Sequence, residues 1–167
     1  MELFWIISFP LAFIIHDSEE IIVQHKWMLA HKEHIIQKFP RMTRIIIHLS
    51  SLSTKAFAIA VLEELILLLL ATAYVLTGGV YATELWIALF MAFSIHFVVH
   101  IVQGVIAMGY VPGLATSILM LPYAYFGINK ICEDVSGNKL IQLSVLGIIA
   151  MMINLRIAHW VGKKFTH

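Results

Sequence analysis

His16-Asp17-Ser18-Glu19-Glu20 interrupts an otherwise apolar run: Leu3 to Ile15 carries no ionisable side chain, and Ile21-Ile22-Val23 follows directly. Ionised groups in the middle of a membrane-length segment cost on the order of a few kcal/mol each and are retained with a partner or a task. On a helix, positions i, i+3 and i+4 share a face, so His16, Glu19 and Glu20 are expected to point together into a bundle. Further on, His96 and His100 stand four residues apart, a spacing that puts two imidazoles on one helical face and suits metal chelation. Glu63 and Glu64 are adjacent, so only one of them is expected to face a common centre. The expected ligand set is His16, Glu19, Glu20, Glu63, His96 and His100. His159, with Asn154 near it, is a further candidate ligand, and Glu20 and Glu64 are the candidate catalytic acids or bases. Nitrogen and carboxylate donors without thiolate suit zinc, iron or manganese. Soluble di-iron bundles use a comparable inventory of inward-facing Glu and His, but their motif is Glu-x-x-His and here His16 precedes Glu19.

These residues need helices long enough to bring them to one depth. Sixty per cent of the 167 residues are hydrophobic and 13% are charged, about half the charged fraction of a soluble domain. The sequence predicts an all-α, polytopic membrane bundle forming a single domain over 1–167, with five spans near the ~20 residues a bilayer requires. The spans are expected at roughly 3–28, 53–77, 84–108, 112–129 and 140–161, with an amphipathic interfacial segment at 29–52 broken at Pro40. Leu3 onward reads as a retained span and not a cleaved leader. Counted from the outer end of each span, His16, Glu20, Glu63, His96, His100, Asn154 and His159 fall about 12 to 19 residues in. At roughly 1.5 Å per residue they share a layer on the order of 10 Å thick.

Basic residues set the expected orientation. Lys26, Lys32, Lys38, Arg41, Arg44 and Lys55 flank the first loop, and Arg156, Lys163 and Lys164 flank the C-terminus. An odd number of spans puts both on the cytoplasmic side and the N-terminus outside. A net charge of +1 gives no reason to expect nucleic acid, and the single Cys132 excludes a cysteine-based metal cluster. The expected surroundings are a lipid bilayer, as in a bacterial inner membrane, and a homo-oligomer is compatible with the sequence.

His16-Asp17-Ser18-Glu19-Glu20 resembles the signature of the HXXEE-domain membrane proteins, a prokaryotic family named for that motif. Glu63, the His96-x-x-x-His100 pair and the Tyr110-Val111-Pro112-Gly113 turn fall where polar and turn positions of that family are expected. The resemblance spans most of the chain. It implies an integral membrane protein that binds metal, and it supplies no reaction. Glutamate proteases of the CAAX-processing type are a weaker match: they want Arg five positions after the first Glu, where this chain has Gln24 or Leu68, and Phe four before the His, where it has Ala92 or His96. Ceramidase-like zinc hydrolases also use HxxxH but have more spans.

The function expected from the sequence is a zinc- or iron-dependent enzyme, with one or two ions, acting on a small lipophilic or membrane-accessible substrate. A non-ligating glutamate would serve as base. The alternatives are a divalent-metal or proton carrier or sensor, and a metal-free glutamate protease. The competing structural reading is a buried polar network that only orders the bundle, an expensive use of three ionisable groups. His25, His31, His34 and His48 lie near the basic loop and are expected to be solvated or to face lipid headgroups. Asp17 and Ser18 are expected to help orient His16, or Ser18 to bond back to its own helix.

Overall fold

The computed structural model describes residues 2–166, and among them the regular structure is entirely helical. Six α-helices follow in chain order: α1 Leu3–Lys38, α2 Thr43–Ser50, α3 Thr54–Leu76, α4 Ala82–Ala107, α5 Leu114–Asp134 and α6 Gly137–Lys164, with a 3₁₀ turn at Pro40–Met42 between the first two.

The first helix is longer than the expected span. It runs through Pro10 and on to Lys38, so 29–38 continues α1 and does not begin a separate interfacial helix. It stops where Pro40 excludes helical geometry for the residue before it: Phe39 sits at φ −131°, ψ 69°. Helix α3 is started by Ser53, whose side chain accepts a hydrogen bond from Ala56 N at 3.1 Å. The connection expected over 129–139 shrinks to Val135 and Ser136, because α5 extends to Asp134 and α6 begins at Gly137. Three of its charged residues are held by ion pairs: Lys130 contacts Glu133 at 2.7 Å and Glu2 at 3.3 Å, and Lys139 contacts Glu84 at 2.8 Å.

Those pairs gather the starts of α1, α4 and α6 and the end of α5 at one end of the molecule. At the other end, Lys163 Nζ donates to Ser51 Oγ at 2.7 Å and lies 3.2 Å from His48 Nδ1. The five long helices therefore traverse the molecule in alternating directions. Helix α6 packs closely on α4 and α3 because glycine stands at both crossings: a Cβ at Gly147 would lie 2.0 Å from Ala88 O, and one at Gly162 2.1 Å from Ala56 O.

Three helices, α3, α4 and α6, are long and apolar enough to cross a membrane. Helix α1 carries Asp17, Glu19 and Glu20 at mid-length, and α5 carries Pro122, Asn129 and Lys130. Large apolar side chains face outward along every long helix, among them Leu11, Leu70, Val102, Leu119 and Leu146. Such a surface suits lipid and not water. The inner core is aromatic. Phe9 on α1 meets Phe90 and Phe93 of α4 at ring-centroid distances of 5.6 and 5.3 Å, and Phe93 stacks edge-on against Phe97 at 4.4 Å. This aromatic layer is the floor on which His16 sits, 5.0 Å from the Phe97 ring.

Candidate metal centre

Helix α1 presents His16 and Glu20 four residues apart, and α4 presents His96 and His100 at the same spacing. The two pairs face each other. One ligand atom from each of the four residues lies within 4.8 Å of the other three. The His96 and His100 Nε2 atoms are 2.9 Å apart, and the Glu20 carboxylate straddles them, with Oε1 3.4 Å from His100 and Oε2 3.9 Å from His96. The His16 ring centroid is 5.1 Å from each of the other two imidazoles. His16, His100 and Glu20 are almost wholly withdrawn from solvent.

The orientation of His16 is fixed by a chain of hydrogen bonds that ends on Glu19. The Thr116 hydroxyl donates to Glu19 Oε2 at 2.6 Å; the other acceptor near it, Gly113 O, is at 3.4 Å. A carboxylate only accepts, and a hydroxyl has one proton to give. With that proton committed to Glu19, the Thr116 oxygen accepts from His16 Nδ1, 2.9 Å away. His16 Nε2 is then the unprotonated nitrogen. It is buried and has no hydrogen-bond partner among the described residues. A bare imidazole lone pair aimed at two more imidazoles and a carboxylate is the arrangement a metal ligand requires, with the other ring nitrogen held by an outer partner. The donor set, three nitrogens and one carboxylate, fits a divalent transition ion.

Glu19 itself is not brought to this centre, contrary to the expectation that it shares a face with His16 and Glu20. Positions 19 and 20 are about 100° apart on a helix, and Glu19 is drawn to the start of α5. Its carboxylate accepts from Thr116 N at 2.7 Å, Ala115 N at 3.3 Å and Tyr110 Oη at 2.5 Å. It thus caps α5 from another helix, where exposed N–H groups and the helix dipole favour a negative charge. Burial and the bond to Glu19 push the Tyr110 phenol up, so it keeps its proton and remains a donor. The far half of α1 braces the same turn: Trp27 Nε1 donates to Tyr110 O at 3.0 Å and Lys38 Nζ to Ile106 O at 2.8 Å. Gly113 starts α5 at φ +79°, and an added Cβ there would lie 2.8 Å from His100 Cε1. The turn is therefore packed directly on a ligand ring.

The remaining candidates fall elsewhere. Glu63 points away from the cluster and accepts from Asn154 Nδ2 on α6 at 3.3 Å. Glu64 is also outside the four-residue group and lines a cavity of about 600 Å³ between α1, α3, α4 and α6. Glu20 and His96 are on the wall of that cavity, whereas His16 and His100 lie behind it. His159 lines the same cavity, but its ring is 5.5 Å from His48 and 6.2 Å from Phe57, one region of α6 too near the basic end to join the centre. His48 is exposed at that end of the molecule, in line with the expectation, and burial, then Lys163 and Arg156, hold its imidazole below the ordinary value. Ser18 bonds back to Ile14 O at 2.6 Å. Sequence reasoning missed Thr116 as the partner of His16. The Gly113 turn just before it signals a helix start, but nothing local in the sequence says that α1 docks there.

No curated protein and no solved structure matches the chain. A family model described as a protein of unknown function with an HXXEE motif matches residues 7–126. That stretch contains His16, Glu19 and Glu20, the His96 and His100 pair, and the Tyr110 to Thr116 segment that Glu19 caps and that orients His16. The chain belongs to the HXXEE family.

Proposed function

We propose that this protein crosses the membrane five times and holds one divalent metal through His16, Glu20, His96 and His100, as an enzyme for a membrane-accessible substrate. Five crossings are supported by the alternating course of α1, α3, α4, α5 and α6, with the acidic segment of α1 buried against α4 and α5. The contact of Lys163 with His48 and Ser51 supports placing the basic first loop and the C-terminus on one side, which the charge distribution makes cytoplasmic.

The observation that carries the metal assignment is the Glu19–Thr116–His16 chain, which leaves a buried, unpaired Nε2 lone pair beside three other donors. A network built only for packing would satisfy that nitrogen. Four protein donors fill a tetrahedral zinc site, whereas iron at higher coordination retains open positions. The donor count therefore favours iron for an enzyme. A bound ion would supply polarisation of a substrate oxygen or a redox centre. The chain's own residues supply the rest. The cavity delivers substrate to the Glu20–His96 edge, the aromatic floor under His16 excludes water, and Glu64 on the cavity wall is placed to exchange a proton with substrate.

Elemental analysis of detergent-purified protein tests this reading. One ion per chain, lost in H16A and H100A, is the expected result. A metal-free wild type after purification without chelator contradicts it, as does full metal content in both variants.

A further inference from the structure

The cavity beside the centre has walls whose charge and aromatic content specify an occupant. Asp17 is 5% exposed, lines the cavity, and its Oδ2 has no hydrogen-bond partner among the described residues. Glu20 and Glu64 line the same space, and among the described residues no lysine or arginine does. The Asn154 amide on the same wall donates one of its two hydrogens to Glu63, and among the described residues nothing donates to Asp17 Oδ2. A buried acceptor left without a donor costs about 1–3 kcal/mol, and more if charged. An occupant that brings donors and positive charge relieves that cost. Apart from His96, His159 and Asn154 the rest of the wall is apolar, and it includes Phe9, Phe13, Phe57 and Phe93, aromatic side chains of the kind that attract a cation and pack an alkyl chain.

Building on the metal-centre reading above, we propose that the cavity binds an apolar primary amine, its ammonium group set against Asp17 and Glu64 beside the Glu20–His96 edge of the centre. An ammonium offers three donors and a full charge. A hydroxyl offers one donor and no charge, and a carboxylate or phosphate head would meet three acids. Hydrophobic pockets with a few convergent polar groups are the usual form of small-molecule sites. Here the polar groups are three carboxyl groups with His96, His159 and Asn154, and no lysine or arginine among the described residues lines the cavity, so the amine is the head group selected.

The test is equilibrium dialysis of radiolabelled octylamine and octanol against the full-length protein in lipid nanodiscs, with empty nanodiscs as blank and bound metal measured in every sample. Octylamine should bind saturably at one molecule per chain, and octanol at least tenfold more weakly. D17N and E64Q should each raise the octylamine Kd at least tenfold while leaving the metal-to-protein ratio unchanged. Glu64 is on α3, remote in sequence from the metal-binding helices, so E64Q decides the matter if D17N does not fold. Equal binding of octanol, absence of saturable octylamine binding, or an unchanged Kd in E64Q overturns the inference. Metal present without amine binding sinks this inference alone; amine binding with no metal sinks the metal-centre reading and leaves the cavity assignment standing.

Discussion

The Glu19 carboxylate lies 2.6 Å from the Thr116 hydroxyl and 2.7 Å from the Thr116 amide, so one acidic side chain of α1 both caps α5 and dictates where the Thr116 proton points. The two glutamates of the motif therefore do different work. Glu20 joins the His16, His96 and His100 cluster, whereas Glu19 sets the tautomer of His16 through Thr116 and anchors the helix that supplies that threonine.

Replacing Thr116 tests that relay. T116V keeps the shape but removes the hydroxyl, so His16 is free to place its proton on either nitrogen. Loss of an outer partner to a metal-bound histidine lowers affinity by about 10- to 100-fold, and T116V is expected to fall in that range when measured by chelator competition. T116S, which restores the hydroxyl, should recover most of the loss. Equal affinity in T116V and the wild type would show that His16 needs no such partner.

The two motif glutamates should separate in their phenotypes. E19A removes a carboxylate that accepts from two backbone amides and two hydroxyls. It should destabilise the protein by about 1–3 kcal/mol and shorten α5 at its start, while the chain still takes up metal at high ion concentration. E20Q should leave thermal stability of the metal-free protein comparatively intact and abolish tight metal uptake. Melting curves with and without added ion, read by circular dichroism, distinguish them; identical behaviour of the two variants would refute the division of labour.

Gly113→Ala joins two penalties at one position. The residue sits at φ +79°, and the new Cβ would press on the His100 ring at 2.8 Å. The backbone term alone costs about 1 kcal/mol, and displacement of His100 should weaken metal binding as well. A G113A protein with wild-type melting temperature and metal affinity would show that the turn does not bear on the ligand.

Bystanders follow from the same geometry. E63Q, H159A, H31A and H34A should retain one ion per chain. Glu63 is engaged by Asn154 and His159 faces His48, while His31 bonds to Trp27 O at 2.8 Å and His34 lies further along that same end of α1. Metal loss in E63Q or H159A would mean that the centre is larger than four residues.

Much of the centre was legible because helical spacing is a local property. His16 and Glu20, and His96 and His100, each stand at i, i+4, and a buried, apolar context turned each pair inward. The Pro40 break is legible for the same reason, since proline geometry acts within a few residues. Glu19 was misread because its direction is decided by a helix start 97 residues away in sequence: three acceptor-seeking donors at α5 outweigh its share of the His16 face. Glu63 went the same way, drawn to Asn154 across α6. The gap between the last two expected spans, 130–139, closes to two residues because α5 runs on through Glu133 and Asp134, and Glu133 pairs with Lys130 inside that helix. Charge on a sequence signals contact with water or with an opposite charge, and spacing alone does not separate the two.

X-ray absorption at the edge of whichever metal co-purifies with the wild-type protein tests the central claim most directly. The account predicts a first shell of nitrogen and oxygen only, with the outer scattering of three imidazoles and one carboxylate, and one imidazole fewer in H16A and in H100A. Sulfur in the first shell, a single imidazole, or an unchanged spectrum in both variants would contradict it.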